Sequence, residues 1–376
     1  MRVLISPDSF GGTLTAPEAA AALAEGWRRV APDDELDLAP LSDGGPGFVD
    51  VLETSLGGER LVREVEDPLG RPVRAALLLV GSTAYVESAA AAGLHLVALP
   101  RRDARRASTH GVGRLVAAAV EAGARRVVVG LGGSATTDGG AGMLAALGVR
   151  ALDDAGHPVG PGGAALAAVA RLGPASTRPP LDGVELVAAT DVDSPLLGPL
   201  GASAVFGPQK GADPDTVTEL DRALARWAAV VTRDLVPPPP AGWAEAAGAG
   251  AAGGLGAALL ALGARREPGI ALVLDAVRLA DRVAAADLVV TGEGSFDFQS
   301  LRGKVVSGVA GLARSEAVPC VVAAGQVSVG RREAAAAGVD AAHAVADELG
   351  SVEAALARPA EGLAAVGERL ARDWSR

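Results

Sequence analysis

The stretch LVVTGEGSFDFQ, residues 288–299, decides the fold class of this sequence. Its first four residues are apolar or β-branched and predict a buried strand, and the glycine-rich and acidic residues 292–299 predict a loop. Residues 303–314 then follow the apolar spacing of a helix. A strand, a loop and a helix in this order form the repeating unit of α/β sheets, which bind ligands at the carboxyl ends of their strands.

The same order recurs towards both chain ends. Residues 318–324 and 339–345 predict two further strands, with a short helix over residues 331–337 between them. At the other end, residues 3–5 predict a strand that a polar turn joins to a helix. Thr15 and Glu18 have the spacing of a capping box and mark the start of that helix.

The shared pattern predicts an α/β protein with two domains, as expected for 376 residues. We predict a doubly wound parallel sheet built from residues 1–66 and 287–376, interrupted by an inserted α/β domain over residues 67–286. The insert contains another strand, loop and helix at residues 126–147. Its glycine-rich residues 248–256 predict a loop that packs closely on other backbone, since linkers are richer in serine and charge.

Composition excludes several classes of protein. The formal net charge of -11 and the lack of a basic stripe exclude a nucleic-acid-binding surface. No run of about 18 apolar residues predicts a membrane span, and no signal peptide is evident, so we expect a cytoplasmic protein. The single cysteine, Cys320, lies in an apolar run and predicts a buried strand residue.

Two glycine-rich loops are candidates for phosphate binding. In the stretch GLGGSATTDGG, residues 130–140, backbone amides and hydroxyl groups could cradle a phosphate, although a plain strand-to-helix turn explains the pattern too. The predicted cofactor-binding residues are Gly132, Gly133, Ser134, Thr136, Gly292 and Gly294. In the second loop, Glu293 and Asp297 are carboxylates that could hold Mg²⁺.

Three further residues are candidates for catalysis. Lys210 and Lys304 are the only lysines in the chain, and each could neutralise the oxygens of a transferred phosphoryl group. Asp191 follows an apolar run and could act as a general base towards a substrate hydroxyl group, with an Asx turn as the alternative. Asp8, Ser9 and Asp43 lie in polar loops after predicted strands, where they could position a substrate.

Several of these stretches, in the same order along the chain, resemble the glycerate kinase family. They are Ser6-Pro7-Asp8-Ser9-Phe10, Asp43-Gly44-Gly45, Gly132-Gly133-Ser134-Ala135-Thr136, Asp138-Gly139-Gly140-Ala141-Gly142-Met143, Asp191-Val192-Asp193, Ala204-Val205-Phe206-Gly207-Pro208-Gln209-Lys210-Gly211 and Thr291-Gly292-Glu293-Gly294. The resemblance implies a flavodoxin-like domain joined to an insert likened to restriction-enzyme folds, with the site in the cleft between them. It also implies ATP, Mg²⁺ and D-glycerate as ligands, with 2- or 3-phosphoglycerate as product. A homodimer is one option for the oligomeric state.

The signature loops depart from the family pattern. Gly11 stands where the family usually has lysine, and Ser295 where it usually has arginine. Further departures are Pro46, Phe48 and Ser194. These changes remove groups suited to holding a carboxylate or phosphate, since serine cannot replace the fork of an arginine. Two alternatives therefore stay open: a kinase for another small hydroxylated substrate, and a non-catalytic protein that binds a nucleotide or metabolite.

Overall fold

The structure, a computed structural model, describes residues 1–173, 181–298, 300–301 and 305–375. Within these residues the chain alternates between strands and helices. The strands are β1 (Arg2–Pro7), β2 (Glu35–Leu38), β3 (Glu59–Glu66), β4 (Pro72–Val80), β5 (Thr83–Glu87), β6 (Arg126–Gly130), β7 (Ala151–Leu152), β8 (Arg171–Leu172), β9 (Glu185–Ala189), β10 (Arg265–Glu267), β11 (Leu288–Phe296), β12 (Cys320–Val327) and β13 (Ala341–Ala344).

Helices connect most of these strands. The α-helices are α1 (Ala16–Val30), α2 (Phe48–Leu56), α3 (Ala89–Ala92), α4 (His110–Glu121), α5 (Ala141–Ala146), α6 (Ala202–Phe206), α7 (Pro214–Asp234), α8 (Ala251–Ala261), α9 (Gly269–Ala276), α10 (Leu279–Ala284), α11 (Val305–Ser315), α12 (Arg331–Ala336), α13 (Val345–Leu349), α14 (Val352–Ala357) and α15 (Pro359–Trp374). Short 3-10 helices lie at Leu94–Leu96, Leu99–Arg101, Ala164–Ala168 and Pro208–Lys210. The mixed α/β class predicted from the sequence is confirmed.

The first sheet joins the two chain ends. Its five strands run in the order β13-β12-β11-β1-β2, and every neighbouring pair is parallel. Counted along the chain within this sheet, the strand order is that of a flavodoxin-like sheet. The side on which successive strands are added changes between β1 and β11, so the strand order reverses there. Such a reversal leaves a crevice at the carboxyl ends of the two strands, where ligands bind in doubly wound folds.

Helix α1 shows how the sequence builds this unit. The Thr15 hydroxyl accepts a hydrogen bond from the Glu18 amide, and the Glu18 carboxylate accepts one from the Thr15 amide, so the predicted capping box is confirmed. Leu23 and Trp27 are buried, and burial of each stabilises the fold by about 2 kcal/mol. Val30, at the end of the helix, is exposed.

The second sheet has six strands in the order β10-β9-β6-β5-β4-β3. The strands β5, β6, β9 and β10 are parallel, whereas β3, β4 and β5 form antiparallel pairs. The central strands β6 and β9 are mostly apolar, as expected for strands covered on both faces, and their carboxyl ends precede the loops at residues 131–140 and 190–195.

The described chain clusters into two compact units. The first comprises residues 1–43, 50–57 and 269–376, and the second comprises residues 44–49 and 58–268. Strand β3 pairs with β4 in the second sheet, and α9 and α10 pack with α11 in the first unit, which explains why these bounds differ from the predicted 66/67 and 286/287. The division into a discontinuous domain and an inserted domain remains our proposal.

Local predictions near the candidate sites had mixed outcomes. Strand β11 continues to Phe296, so the predicted loop at residue 292 begins too early. Cys320 is buried in β12, as predicted. The residues 248–256 do pack on other backbone, because a Cβ atom on Gly253 would lie 1.8 Å from the carbonyl oxygen of Thr136. Among the described residues, no helix combines the length and apolar composition that a membrane span needs.

Candidate functional site

A cavity of about 430 Å³ lies in the first unit, at the carboxyl ends of β1 and β11. The residues after β1 and those at the end of β11 contribute one wall, and α14 contributes an apolar wall on the other side. Asp8, Glu293 and Asp297 all line this cavity, together with Ser9 and Gly294. The structure therefore brings together five of the predicted site residues at the point where the strand order reverses.

Asp8 carries the most unusual carboxyl group in this cavity. Burial raises its pKa to about 7, and the nearby charges of Asp43 and Glu293 act in the same direction. The amide of Ser9 donates a hydrogen bond of 2.6 Å to the Asp8 carboxylate, which lowers the pKa but does not offset the other two causes. Asp8 therefore changes its charge near neutral pH.

The two main departures from the family pattern line this same cavity. Gly11 and Ser295 both contribute to its wall, and no Lys, Arg or His is found among the described lining residues. A side chain on Gly11 would meet open space, although the backbone there has a φ of +52°, which favours glycine. At both positions the cationic side chain of the family pattern is absent. Both positions line the same cavity as the carboxylates of Asp8, Glu293 and Asp297.

Glu293 and Asp297 fit the chemistry of a magnesium site. Carboxylate oxygens are hard ligands, and Mg²⁺ commonly takes only one or two of them from the protein, completing its shell with water and phosphate oxygens. Glu293 is buried, with 8% of its side chain exposed, and Asp297 is partly exposed. Among the described residues, no group of three or more His, Cys, Asp or Glu side chains is arranged to hold a metal.

The second unit contains the other glycine-rich loop, between β6 and α5. Gly132 has no room for a side chain, because a Cβ atom would lie 2.3 Å from the Cα atom of Gly45. Gly133 is exposed, whereas Ser134 and Thr136 are buried. The two hydroxyl groups predicted as phosphate donors are therefore used inside the unit, and Gly132 and Gly133 are the predicted loop residues that remain accessible.

Lys210 holds this loop from within. Its side chain is 1% exposed, and its Nζ atom donates hydrogen bonds to the Ser134 hydroxyl at 3.2 Å and to the Thr136 carbonyl oxygen at 2.5 Å. Burial lowers the pKa of Lys210 to about 7, while the charge of Asp138 acts in the opposite direction. In this conformation the ammonium group contacts the loop and is not accessible to a ligand, in contrast to the role predicted from the sequence.

Asp138 and Thr109 form a buried pair that the sequence analysis gave no role. The Asp138 carboxylate accepts hydrogen bonds from the Thr109 amide at 2.8 Å, from the Thr109 hydroxyl at 2.9 Å and from the amides of Gly140 and Gly142 at 3.1 Å. Burial raises the pKa of Asp138, against the effect of these bonds. In the sequence, the signal that could have identified Asp138 was a single acidic residue within a glycine-rich turn.

Asp191 lies after β9, in the second unit, and its side chain is exposed. The turn at this point is made by Thr190, whose hydroxyl accepts a hydrogen bond from the Val192 amide at 3.2 Å. Asp193, two residues on, is paired with Arg266 at 2.7 Å. Asp191 thus keeps the exposure that a general base needs. Lys304, the remaining predicted catalytic residue, lies outside the described residues.

Comparison with known proteins decides the family. A sequence model described as the glycerate kinase family matches residues 3–375. The chain belongs to the glycerate kinase family. The resemblance found in the sequence is thereby confirmed, and the family places the protein among the kinases.

Individual relatives cover the chain almost completely. The protein named glycerate kinase from Bacillus subtilis is 43% identical over 376 residues, covering 99% of this chain and 96% of the relative. The Escherichia coli protein named glycerate 2-kinase is 38% identical, covering 94% and 93%. A crystal structure assigned to glycerate kinase 2 of Salmonella typhimurium superimposes with a TM-score of 0.81 at 38% sequence identity. The match covers 99% of the present chain and 98% of the Salmonella chain.

Proposed function

We propose that the protein transfers the γ-phosphoryl group of ATP to a hydroxyl group of D-glycerate, giving 2- or 3-phosphoglycerate. The observation that carries the proposal is the carboxylate-lined cavity at the reversal point of the first sheet, in a chain that belongs to the glycerate kinase family. The name of the Escherichia coli relative makes 2-phosphoglycerate the first product to look for.

The carboxylates of the first unit divide into two proposed roles. Glu293 and Asp297 would hold a Mg²⁺ ion, which would neutralise negative charge on the phosphate groups. Asp8, with Ser9 and Asp43, would position the hydroxy acid, the ionised Asp8 carboxylate accepting a hydrogen bond from a substrate hydroxyl. Gly294 lines the cavity and would allow a phosphate to approach the backbone, whereas Gly292 lies within β11, where a Cβ atom would lie 1.9 Å from the carbonyl oxygen of Ala323.

In the second unit we propose Asp191 as the general base, because its carboxylate is exposed at the end of a strand. Gly132 and Gly133 would offer backbone to a phosphate. For Lys210 we propose a positioning role, since its ammonium group is already bonded to Ser134 and Thr136. Lys304 keeps the proposed role of stabilising charge on the phosphoryl group.

Two alternatives follow from the departures at Gly11 and Ser295. A kinase with another small hydroxylated substrate is favoured by the lack of a cationic side chain among the described lining residues. A non-catalytic protein that binds a nucleotide or metabolite is the other alternative. The retained carboxylates Asp8, Asp191 and Glu293 argue against it, because a pure binder has little need for all three.

The test is ADP release by the purified protein with Mg-ATP and D-glycerate, beside a panel of small hydroxy acids. We expect saturable release with D-glycerate, and NMR of the product to show phosphorylation at one carbon. Release with another acid alone would establish the first alternative. ATP binding without release on any acid would contradict the proposed function and establish the second.

A further inference from the structure

A second cavity of about 400 Å³ lies wholly within the second unit, and none of the predicted site residues lines it. It is enclosed by the turn after β3, the first residues of α4 and α5, and the loop at residues 158–162. Its size falls in the range of sites for small molecules. The proposed kinase function uses no residue of this wall.

The floor of this cavity is fixed by packing. Gly142 leaves no room for a side chain, because a Cβ atom would lie 2.3 Å from the hydroxyl oxygen of Ser108. Its amide donates a hydrogen bond to the buried Asp138 carboxylate at 3.1 Å. Both Gly142 and Ser108 line the cavity, so the close approach of the two segments shapes the cavity before any ligand arrives.

Each carboxylate in the wall already has a polar partner. Asp67 is almost completely buried and is paired with Arg71 at 2.6 Å, and it also accepts hydrogen bonds from the amides of Leu69 and Arg71. Glu66 is paired with the ring of His110 at 3.1 Å. The charge of Asp67 is therefore offset by Arg71, and the Glu66 carboxylate is held by His110.

Arg106 supplies positive charge to the same wall. Arg106 lines the cavity and is exposed, and among the described residues its guanidinium group has no hydrogen-bond or ion-pair partner. Arg150 also lines the cavity. A guanidinium group binds a carboxylate or a phosphate through two parallel hydrogen bonds, which makes an anionic head group its natural partner.

The rest of the wall is apolar. Leu69, Val159 and Leu166 contribute side chains, and Ala145 faces the cavity from α5. A free inorganic anion would leave these groups in contact with water only, whereas a hydrocarbon or ring would cover them. We propose that this cavity binds a small organic anion, with its charged group at Arg106 and its apolar body against Leu69, Val159 and Leu166.

The test is calorimetric titration of the whole protein with 4-phenylbutyrate and with phenyl phosphate, two anions that each carry a ring. 4-Phenylbutan-1-ol lacks the charge and acetate lacks the ring, so they probe the two halves separately. We expect one saturable site per chain for at least one ring-bearing anion. The alcohol and acetate should each bind at least about tenfold more weakly than that anion. Failure of both ring-bearing anions to bind, or equal binding of the alcohol, would overturn the proposal.

Three variants locate the binding. Arg106→Gln should weaken binding of the anion about tenfold by removing the charged partner, and Ala145→Leu should weaken it by filling the cavity. Arg105→Gln is the matched control, because Arg105 is the adjacent arginine, does not line the cavity and pairs with Glu219 instead. Thermal unfolding checks that each variant is folded. Equal affinity in Arg106→Gln and Arg105→Gln, or no effect of Ala145→Leu, would contradict the assignment.

Discussion

The two glycine-rich loops of this protein look alike in sequence and differ in what surrounds them. The residues at the end of β11 present Glu293 and Asp297 to a cavity whose described wall contains no cationic side chain. The loop after β6 instead encloses the ammonium group of Lys210, with Ser134 and Thr136 as its partners. The carboxylates at the end of β11 line a cavity, whereas the polar groups of the loop after β6 form hydrogen bonds within the second unit.

The difference shows how the surroundings determine the use of a polar residue. In the first unit, burial raises the pKa of Asp8 to about 7, and the like charges of Asp43 and Glu293 act in the same direction. Such an arrangement costs stability, which is common where carboxylates are kept for chemistry. In the second unit, the charges of Lys210 and Asp138 are opposite, and each is held by hydrogen bonds. That arrangement stabilises a loop.

The largest effect is expected for Asp191→Asn. An asparagine cannot accept a proton from the substrate hydroxyl, so kcat should fall by about 100-fold or more while the KM for ATP stays similar. Asp193→Asn is the control, because that carboxylate is engaged by Arg266. Initial rates of ADP release measure both. Turnover of Asp191→Asn within a few-fold of wild type would reject the general-base role.

Lys210→Met tests the second loop. Methionine keeps most of the volume but leaves Ser134 and Thr136 without their donor and Asp138 without a nearby positive charge, so the free energy of unfolding should fall by about 3 kcal/mol. Urea unfolding measures the change. The adjacent exposed residue gives the control Gln209→Met, for which little change is expected. A Lys210→Met protein with full stability and greatly reduced kcat would instead establish direct contact with the phosphoryl group.

The double variant Gly11→Lys with Ser295→Arg tests the cavity of the first unit. Two cations beside its carboxylates should bind the substrate carboxylate and lower the KM for glycerate about tenfold. The positive φ of +52° at Gly11 costs about 1 kcal/mol of stability for a lysine there. A double variant with glutamine at both positions is the control, because it adds side-chain volume without charge. An unchanged KM in the charged variant would show that the departures do not affect substrate binding.

A smaller effect is expected for Asp43→Asn on the pH dependence of kcat/KM. The ionised Asp8 carboxylate is a stronger hydrogen-bond acceptor than the neutral acid, so activity should rise as the pH passes the Asp8 pKa of about 7. Removing the like charge of Asp43 lowers that pKa, and the acid limb should move to lower pH. Glu25→Gln, on the exposed face of α1, is the control. An acid limb that stays in place or moves to higher pH would contradict the coupling of Asp8 to Asp43.

Much of the fold could be predicted because apolar runs and turn residues are local signals. The strand-loop-helix pattern located β1, β11, β12 and β13, and the capping box located the start of α1. The antiparallel strands β3 and β4 were not identified, because β3 (ERLVREVE) lacks a strict alternation of apolar and polar residues and is largely exposed. That strand is also where the predicted domain boundary departs from the observed compact units.

The candidate site was predictable in its residues but not in their environments. Sequence placed Asp8 and Glu293 after strands, and the sheet order brings them into one cavity. Nothing local distinguishes the buried ammonium group of Lys210 from an exposed one, since its partners are more than 70 residues away. The pairing of Thr109 with Asp138 also joins residues far apart in sequence, with a separation of 29 residues.

The most direct test of the account is urea unfolding of Asp8→Asn and wild type at pH 8 and pH 4, with turnover measured at pH 8. Folding raises the pKa of Asp8 to about 7, so the folded state binds more protons between about pH 4 and 7, and its stability falls as the pH rises through that range. Asparagine cannot ionise, and the variant should be about 2 kcal/mol more stable than wild type at pH 8, allowing for solvent at this partly exposed group. At pH 4 the two proteins should be nearly equal in stability, and turnover at pH 8 should be lost. A variant that is less stable than wild type at pH 8, or that keeps its turnover, would contradict the claim that the ionised Asp8 carboxylate lowers the stability of the fold and is needed for activity.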